Sequence, residues 1–145
     1  MPGEEIVGCT TGIRGEELDR TRLLSGLTSA FEALSESGGH AAAHAIMITD
    51  TVVELGTRSS TEGWTLGGMA KGAGMLAPGL ATMLVVITTD AVLNSEQLDT
   101  ALRAATRVSF DRLDSDGCMS TNDQVTLMSS GASQKTPDLG EFTAR

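Results

Sequence analysis

The feature that most constrains the fold is a glycine-dense segment, residues 67–79, followed directly by the most apolar run in the chain. The segment reads GGMAKGAGMLAPG and holds a single lysine, Lys71. Glycine lets backbone N–H groups approach a ligand closely, and Lys71 could place a cation on a carboxylate or phosphate. The segment matches neither a Walker A loop nor GxGxxG, because no GK[ST] occurs and Ala77 takes the last glycine position. Composition alone favours a flexible connection with a solvated lysine over an anion-binding loop.

Strand and helix patterns are mixed along the rest of the chain. The strongest strand is predicted at Thr82–Thr89, and weaker ones at Glu5–Cys9, Thr51–Leu55, Trp64–Met69 and Gln124–Met128. Apolar residues at three- and four-residue steps predict helices over Asp19–Leu34, over His40–Met47, and from a Ser95 cap to about Leu113. This mixture favours an α/β or α+β class without fixing the strand order.

The composition predicts a core made of small and aliphatic side chains. The 145 residues include three Phe, one Trp and no Tyr, so Ala, Val, Leu, Ile and Met must fill the interior of one globular unit. Beyond Ser130 the chain is polar, with Pro137 and Gly140, and we expect this tail to be loosely held.

Charge and cysteine usage argue against several function classes. A net charge of −9 offers no source of phosphate neutralisation, so nucleic acid is an unexpected partner. Cys9 and Cys118 form no CxxC pair, and His40 and His44 lack a third ligand, so we predict neither a disulfide framework nor a metal site. An acidic start and short apolar runs predict neither export nor membrane insertion, which leaves the cytoplasm.

The acidic segment 114–123 resembles a calcium-binding loop at several ligand positions. Arg112 stands at the first ligand position, however, and Asp123 replaces the usual glutamate at the last. We therefore interpret the segment as a helix stop followed by a hydrogen-bonding turn.

Two further positions carry possible chemistry. The Ala81–Thr82 bond lies where the glycine-dense segment meets the strand, and a threonine freed there would carry its own amine as the adjacent base. The common alternative is a β-branched residue that starts a strand. Thr11 and Gly12 follow a predicted strand, where a backbone N–H and a hydroxyl could stabilise an oxyanion, although an ordinary turn has the same sequence.

Taken together, five motifs closely resemble the ornithine acetyltransferase (bifunctional glutamate N-acetyltransferase) family of arginine biosynthesis. They occur in order between about Glu5 and Ser133, and the block from Lys71-Gly72 to Ala81-Thr82-Met83-Leu84 is the most specific. The motifs are TTGIRG at 10–15, AIMITD at 45–50, GGMAKGAGMLAPGLATML at 67–84, ITTD at 87–90, and DG at 116–117 with STND at 120–123.

The resemblance implies an α/β fold, an α-β-β-α layered sandwich of the DmpA/ArgJ-like type present here only in part. It implies transfer of an acetyl group from N-acetylornithine to glutamate, with acetyl-CoA as a possible co-substrate and no other cofactor or metal. Self-cleavage between Ala81 and Thr82 would release a heteromer of chains 1–81 and 82–145. Thr82 then matches the nucleophile, which also contacts substrate, and Lys71 matches a substrate-binding lysine. Thr11 and Gly12 match the oxyanion-hole pair.

Two features depart from the family pattern. Ile48 stands where the family usually has a substrate-contacting threonine, so a hydroxyl is replaced by a branched alkyl group and the pocket narrows. By length, the chain covers about a third of a full member. We expect a partial acetyltransferase domain at 1–131 and a polar tail at 132–145. Two other hypotheses stay open, a truncated non-catalytic remnant of the family and an anion-binding module built on Gly67–Gly74.

Overall fold

The computed structural model describes residues 7–9, 15–77, 80–81, 83–120 and 123–144, with the backbone alone for residues 77, 80 and 81. The helices are α1 (Arg20–Glu32), α2 (Gly39–Ala45), α3 (Ser95–Val108) and α4 (Leu139–Thr143), with a short 3₁₀ turn at Phe110–Arg112. The strands are β1 (Glu54–Ser59), β2 (Thr65–Lys71), β3 (Leu76–Ala77), β4 (Leu80–Ala81), β5 (Leu84–Thr89) and β6 (Gln124–Ser129). The α/β class is confirmed.

A four-stranded sheet in the order β1-β2-β5-β6 organises these elements. Strands β1, β2 and β5 are antiparallel neighbours, whereas β5 and β6 run parallel. Parallel neighbours need a crossover connection, and α3 supplies it between β5 and β6. A separate two-stranded hairpin, β3–β4, lies in the connection between β2 and β5.

The register gives the sheet two distinct ends. At the Lys71 end, the residues side by side on the three adjacent strands are Lys71, Leu84 and Gln124. At the Thr89 end, the corresponding residues are Leu66, Thr89 and Ser129.

The main core lies at the Thr89 end. Trp64 is 1% exposed, and its ring centroid lies 5.2 Å from that of Phe142, which is 4% exposed. Ala91 and Ala101 complete this cluster. The expectation of a loosely held tail is therefore wrong for α4, because the aromatic contact with Trp64 holds it against the sheet. The proposed division at residue 131 stays a prediction.

Two segments are more regular than their sequence indicated. The predicted flexible connection is wrong for Gly67–Lys71, which belongs to β2, because this segment is hydrogen-bonded to β1 on one side and to β5 on the other. Strand β1 begins at Glu54 instead of Thr51 and continues to Ser59. Of the predicted Glu5–Cys9 strand, residues 7–9 have no regular structure and the rest lie outside the described residues.

The helix starts follow ordinary capping chemistry. Asn94, not Ser95, caps α3: its side chain accepts from the Gln97 backbone N–H at 2.9 Å, and the Gln97 side chain accepts from the Asn94 backbone N–H at 3.0 Å. This reciprocal pair is a capping box. Asp19 caps α1 by accepting from the N–H groups of Thr21 and Arg22.

Helix α1 confirms the amphipathic pattern but buries none of it. No residue of α1 is buried, and Leu27 and Phe31 are 59% and 75% exposed. Within the described part of the chain, the apolar stripe of this helix is therefore open to solvent.

Candidate functional site

Lys71 lies inside the sheet instead of in solvent. It is the last residue of β2, it is 3% exposed, and its register partner is Leu84 at the start of β5. Within the described ranges, its ammonium group makes no hydrogen bond or ion pair. The Asp50 carboxylate is close enough for the ammonium to lower its pKa, but it is not an ion-pair partner, so the position is suited to a ligand that brings a second negative charge.

Asp50 joins the AIMITD motif to the glycine-dense segment. Its Oδ1 accepts from the Gly72 backbone N–H at 2.7 Å, and its Oδ2 accepts from the Ile48 N–H at 3.0 Å. Burial acts to raise the pKa of Asp50, but these two donors and the Lys71 ammonium outweigh it and hold the pKa below its ordinary value. The carboxylate therefore stays ionised at neutral pH and fixes the backbone next to Lys71.

The Ile48 side chain is 62% exposed in the turn that Asp50 organises. The predicted substrate position therefore lies in a segment anchored to Gly72, immediately after Lys71 in the chain. Asp50 is the last residue of the AIMITD motif, and its place two residues after Ile48 is the sequence signal for its part in the site.

The β3–β4 hairpin ends at the predicted cleavage point. Leu76 pairs with Ala81 and Ala77 pairs with Leu80, so Ala81 is the last paired residue of the hairpin. Thr82 itself lies outside the described residues. Met83, which follows it, is 7% exposed and its carbonyl accepts from the Gln124 N–H at 2.9 Å. Residues on both sides of Thr82 are thus held at the Lys71 end of the sheet.

The predicted oxyanion-hole pair, Thr11 and Gly12, lies outside the described residues. Among the predicted site residues, the structure brings the segments that contain Lys71, Ile48 and Ala81 together at the Lys71 end of the sheet. The roles of Thr82, Thr11 and Gly12 stay predictions.

Asp123 is a partly buried residue whose two carboxylate oxygens are shielded from solvent, and no role in the site was predicted for it from the sequence. Neither of its oxygens has a hydrogen-bond partner in the described part of the chain. It immediately precedes Gln124, whose N–H donates to Met83, so it also lies at the Lys71 end. The signal available in the sequence was its position at the end of the STND motif.

The segment 114–118 is a hydrogen-bonding turn, as predicted. Asp114 accepts from the Gly117 N–H and Asp116 from the Cys118 N–H, each at 3.0 Å. No group of three or more His, Cys, Asp or Glu side chains that could hold a metal ion occurs among the residues described. Within the same residues, no helix is both long and apolar enough to cross a membrane.

Sequence comparison with known proteins identifies the family of this chain. The ArgJ family model matches residues 1–145. A protein of Streptomyces coelicolor (strain ATCC BAA-471 / A3(2) / M145) named Arginine biosynthesis bifunctional protein ArgJ is 62% identical over 138 residues, which are 95% of this chain and 36% of that protein. Proteins of the same name from Thermobifida fusca (strain YX) and Mycobacterium leprae (strain TN) are 58% and 53% identical, covering 97% and 95% of this chain.

The chain spans 34–36% of the length of these three relatives. The match nevertheless runs through every segment described above, from the turn at Asp50 to the strand after Asp123. This chain belongs to the ArgJ family.

Proposed function

We propose that this chain carries the self-cleaving acetyl-transfer centre of a glutamate N-acetyltransferase of arginine biosynthesis. Thr82 is the nucleophile, the Ala81–Thr82 bond is the cleavage site, and Thr11 and Gly12 form the oxyanion hole. Lys71 binds the substrate carboxylate. The name of the relatives, a bifunctional protein of arginine biosynthesis, supports this assignment.

The observation that carries the proposal is the burial of Lys71 beside the strand that follows Thr82. Lys71 is paired with Leu84, two residues beyond Thr82, and is 3% exposed. A substrate carboxylate would give the ammonium the direct ion-pair partner that it lacks within the described residues, in addition to its longer-range attraction to Asp50, and would do so close to the nucleophile. Amino-acid substrates such as N-acetylornithine and glutamate bring that carboxylate.

Self-cleavage requires one intramolecular attack. The Thr82 hydroxyl adds to the Ala81 carbonyl carbon, the C–N bond breaks, and the proton lost by the hydroxyl passes to the Thr82 amine. The resulting ester is hydrolysed by water to an Ala81 carboxylate and a free Thr82 hydroxyl. Donors at Thr11 and Gly12 stabilise the oxyanion of both steps, each by about 3 kcal/mol.

Acetyl transfer uses the same hydroxyl. The new amine of Thr82 accepts the hydroxyl proton while the oxygen attacks the acetyl carbonyl of N-acetylornithine. The amide bond breaks, ornithine leaves with the proton, and the acetyl group stays on Thr82 as an ester. The glutamate amine then attacks that ester, which yields N-acetylglutamate and restores the hydroxyl. Acetyl-CoA can load the same ester as an alternative donor.

The two products of cleavage would stay together as a heteromer. The cut lies between β2 and β5, which pair from Leu66–Thr89 to Lys71–Leu84. The Trp64–Phe142 contact also joins the two pieces. Backbone pairing and aromatic burial hold them without a covalent link. We assign this assembly to the cytoplasm, acting on small molecules and not on nucleic acid or membranes.

In this proposal, Ile48 weakens the binding of N-acetylornithine relative to a threonine at the same position. A branched alkyl group at this position cannot donate the hydrogen bond that a threonine gives. We expect Ile48→Thr to lower KM for N-acetylornithine, by roughly 10-fold for one hydrogen bond. A KM that stays unchanged would remove Ile48 from the substrate-contacting set.

Intact mass spectrometry of the purified chain tests the proposal directly. We expect masses for 1–81 and 82–145 from the wild type, and one uncut mass from Thr82→Ala. Thr88→Ala is a matched control, because Thr88 is an exposed threonine of β5 and its loss leaves the cleavage point intact. An acetyl adduct on 82–145 after incubation with N-acetylornithine would identify the acyl-enzyme.

A second candidate, a non-catalytic remnant of the family, is favoured by α1. Its exposed Leu27 and Phe31 leave an apolar stripe that no described part of the chain covers. This alternative predicts a single uncut band and no acetyl transfer under conditions where the chain is folded. Far-UV circular dichroism of the same sample separates an inactive folded chain from an unfolded one.

A further inference from the structure

The turn at residues 114–118 is hydrogen-bonded to the β3–β4 hairpin, which leads to the predicted cleavage point, although the two are distant in sequence. Asp116 uses its Oδ1 within the turn 114–118, where it accepts from the Cys118 N–H. Its Oδ2 accepts from the backbone N–H of Met75 at 3.0 Å, although 41 residues separate the two. One carboxylate therefore joins the turn to the start of β3.

Ser115 reinforces this link at the next residue of the hairpin. Its backbone N–H donates to the Leu76 carbonyl at 2.6 Å, and its hydroxyl accepts from the Leu76 N–H at 3.4 Å. Leu76 is the residue paired with Ala81 in the hairpin. The turn thus fixes the strand segment that lies opposite the predicted cleavage site.

Met75 shows why this link matters. Its φ is 54°, in the left-handed region that residues with a side chain rarely adopt. Such a conformation persists only when surrounding contacts determine it. Within the described residues, the hydrogen bond from the Met75 N–H to Asp116 is the contact that holds this backbone group.

We propose that Asp116 is a positioning residue for cleavage of the Ala81–Thr82 bond. By holding Met75 in its left-handed conformation, Asp116 sets the path of β3 and, through the Leu76–Ala81 pair, the orientation of the Ala81 carbonyl. The inference rests on the proposed function and adds a residue that does not touch the reacting atoms. The hydrogen bonds from Met75 and Cys118 also lower the pKa of Asp116, so the carboxylate is ionised at neutral pH.

The test compares Asp116→Ala with Asp114→Ala in the full 145-residue chain. Asp114 accepts from Gly117 inside the same turn and makes no hydrogen bond to the described residues of the hairpin, so its loss perturbs the turn without releasing Met75. We expect Asp116→Ala to slow the appearance of the 1–81 and 82–145 masses by roughly 10- to 100-fold. We expect Asp114→Ala to cleave at a rate close to that of the wild type.

Amide hydrogen exchange of residues 72–77 gives a readout that is independent of cleavage. Exchange at Met75 should accelerate by at least about tenfold in Asp116→Ala and stay unchanged in Asp114→Ala. Asp116→Asn keeps one carbonyl oxygen for the two donors and should fall between wild type and Asp116→Ala in both measurements. This variant also serves if Asp116→Ala fails to fold.

The outcomes separate this inference from the function on which it rests. Equal Met75 exchange in Asp116→Ala and Asp114→Ala overturns the positioning role, and so does faster exchange with an unchanged cleavage rate. A folded wild-type chain that is never cleaved overturns the proposed function and the positioning role together. Slower cleavage with faster exchange in the Asp116 variants alone supports the inference.

Discussion

The two ends of the sheet differ in how completely their polar side chains are hydrogen-bonded. At the Thr89 end, Asp90 accepts from the Thr65 N–H at 2.6 Å and from the Thr65 hydroxyl at 2.9 Å. At the Lys71 end, Lys71 and both oxygens of Asp123 have no hydrogen-bond partner in the described part of the chain. Satisfied polar groups stabilise a fold, whereas unsatisfied ones lower its stability unless a ligand pairs with them. The comparison indicates that the Thr89 end stabilises the domain and that the Lys71 end holds polar groups that a ligand could satisfy.

The largest expected effect is on the core of the Thr89 end. Trp64→Ala should lower the free energy of unfolding by roughly 3–5 kcal/mol, because it removes the largest fully buried side chain and the Phe142 contact. Urea unfolding followed by circular dichroism measures the change. Phe31→Ala on exposed α1 is the control and should change stability by less than about 0.5 kcal/mol. Similar losses in both variants would contradict the assignment of the core to this end.

The second prediction concerns the satisfied carboxylate. Asp90→Ala should lower the free energy of unfolding by about 2 kcal/mol, because it leaves the Thr65 N–H and hydroxyl without their acceptor. The same urea titration measures it. Thr65→Val removes the hydroxyl but keeps the N–H, so it should cost less than Asp90→Ala. A neutral Asp90→Ala would show that this end does not depend on its polar contacts.

The third prediction is a gain in stability at the Lys71 end, opposite in sign to the loss expected for Asp90→Ala. Lys71→Met keeps a similar length and volume but removes a buried ammonium that lacks a partner in the described residues. We expect stability to rise by about 1 kcal/mol, while acetyl transfer to Thr82 is lost. Lys135→Met, at an exposed lysine near the Thr89 end, is the matched control. If Lys71→Met lowered stability as much as Asp90→Ala does, the proposed difference between the two ends of the sheet would be wrong.

The contrast between the ends also explains what local sequence could reveal. Strands β5 and β6 and helix α3 were predictable, because their apolar spacing repeats over whole elements. The end of β2 was not, since Gly67 and Gly68 indicate a loop in isolation and form a strand only through pairing with β1 and β5. The packing of Phe142 on Trp64 joins residues distant in sequence, and no local pattern contains such a contact.

The candidate site could be predicted from the sequence only through its resemblance to a known family. A single threonine before a strand, or one lysine among glycines, has ordinary structural explanations, and the order of the motifs gave Thr82 and Lys71 their expected roles. The burial of Lys71 and the anchoring of Gly72 by Asp50 depend on the sheet register and on a turn from another motif. Those are tertiary facts that residue spacing does not determine.

The smallest expected effect concerns Asp50, a carboxylate at the Lys71 end whose two oxygens both accept from backbone N–H groups. Its pKa is held below the ordinary 3.8, so its contribution to stability is complete above about pH 4 and is lost as the pH falls through the folded-state value. Asp50→Asn removes that contribution and should lower the free energy of unfolding by about 1 kcal/mol at pH 7. Urea titrations at pH 7 and pH 3 should show the gap between wild type and variant narrowing at the lower pH. A gap that is equal at both pH values would mean that the ionised form of Asp50 gives no added stability. Its hydrogen bonds to Ile48 and Gly72 would then act as neutral contacts, and the electrostatic link to Lys71 would fail.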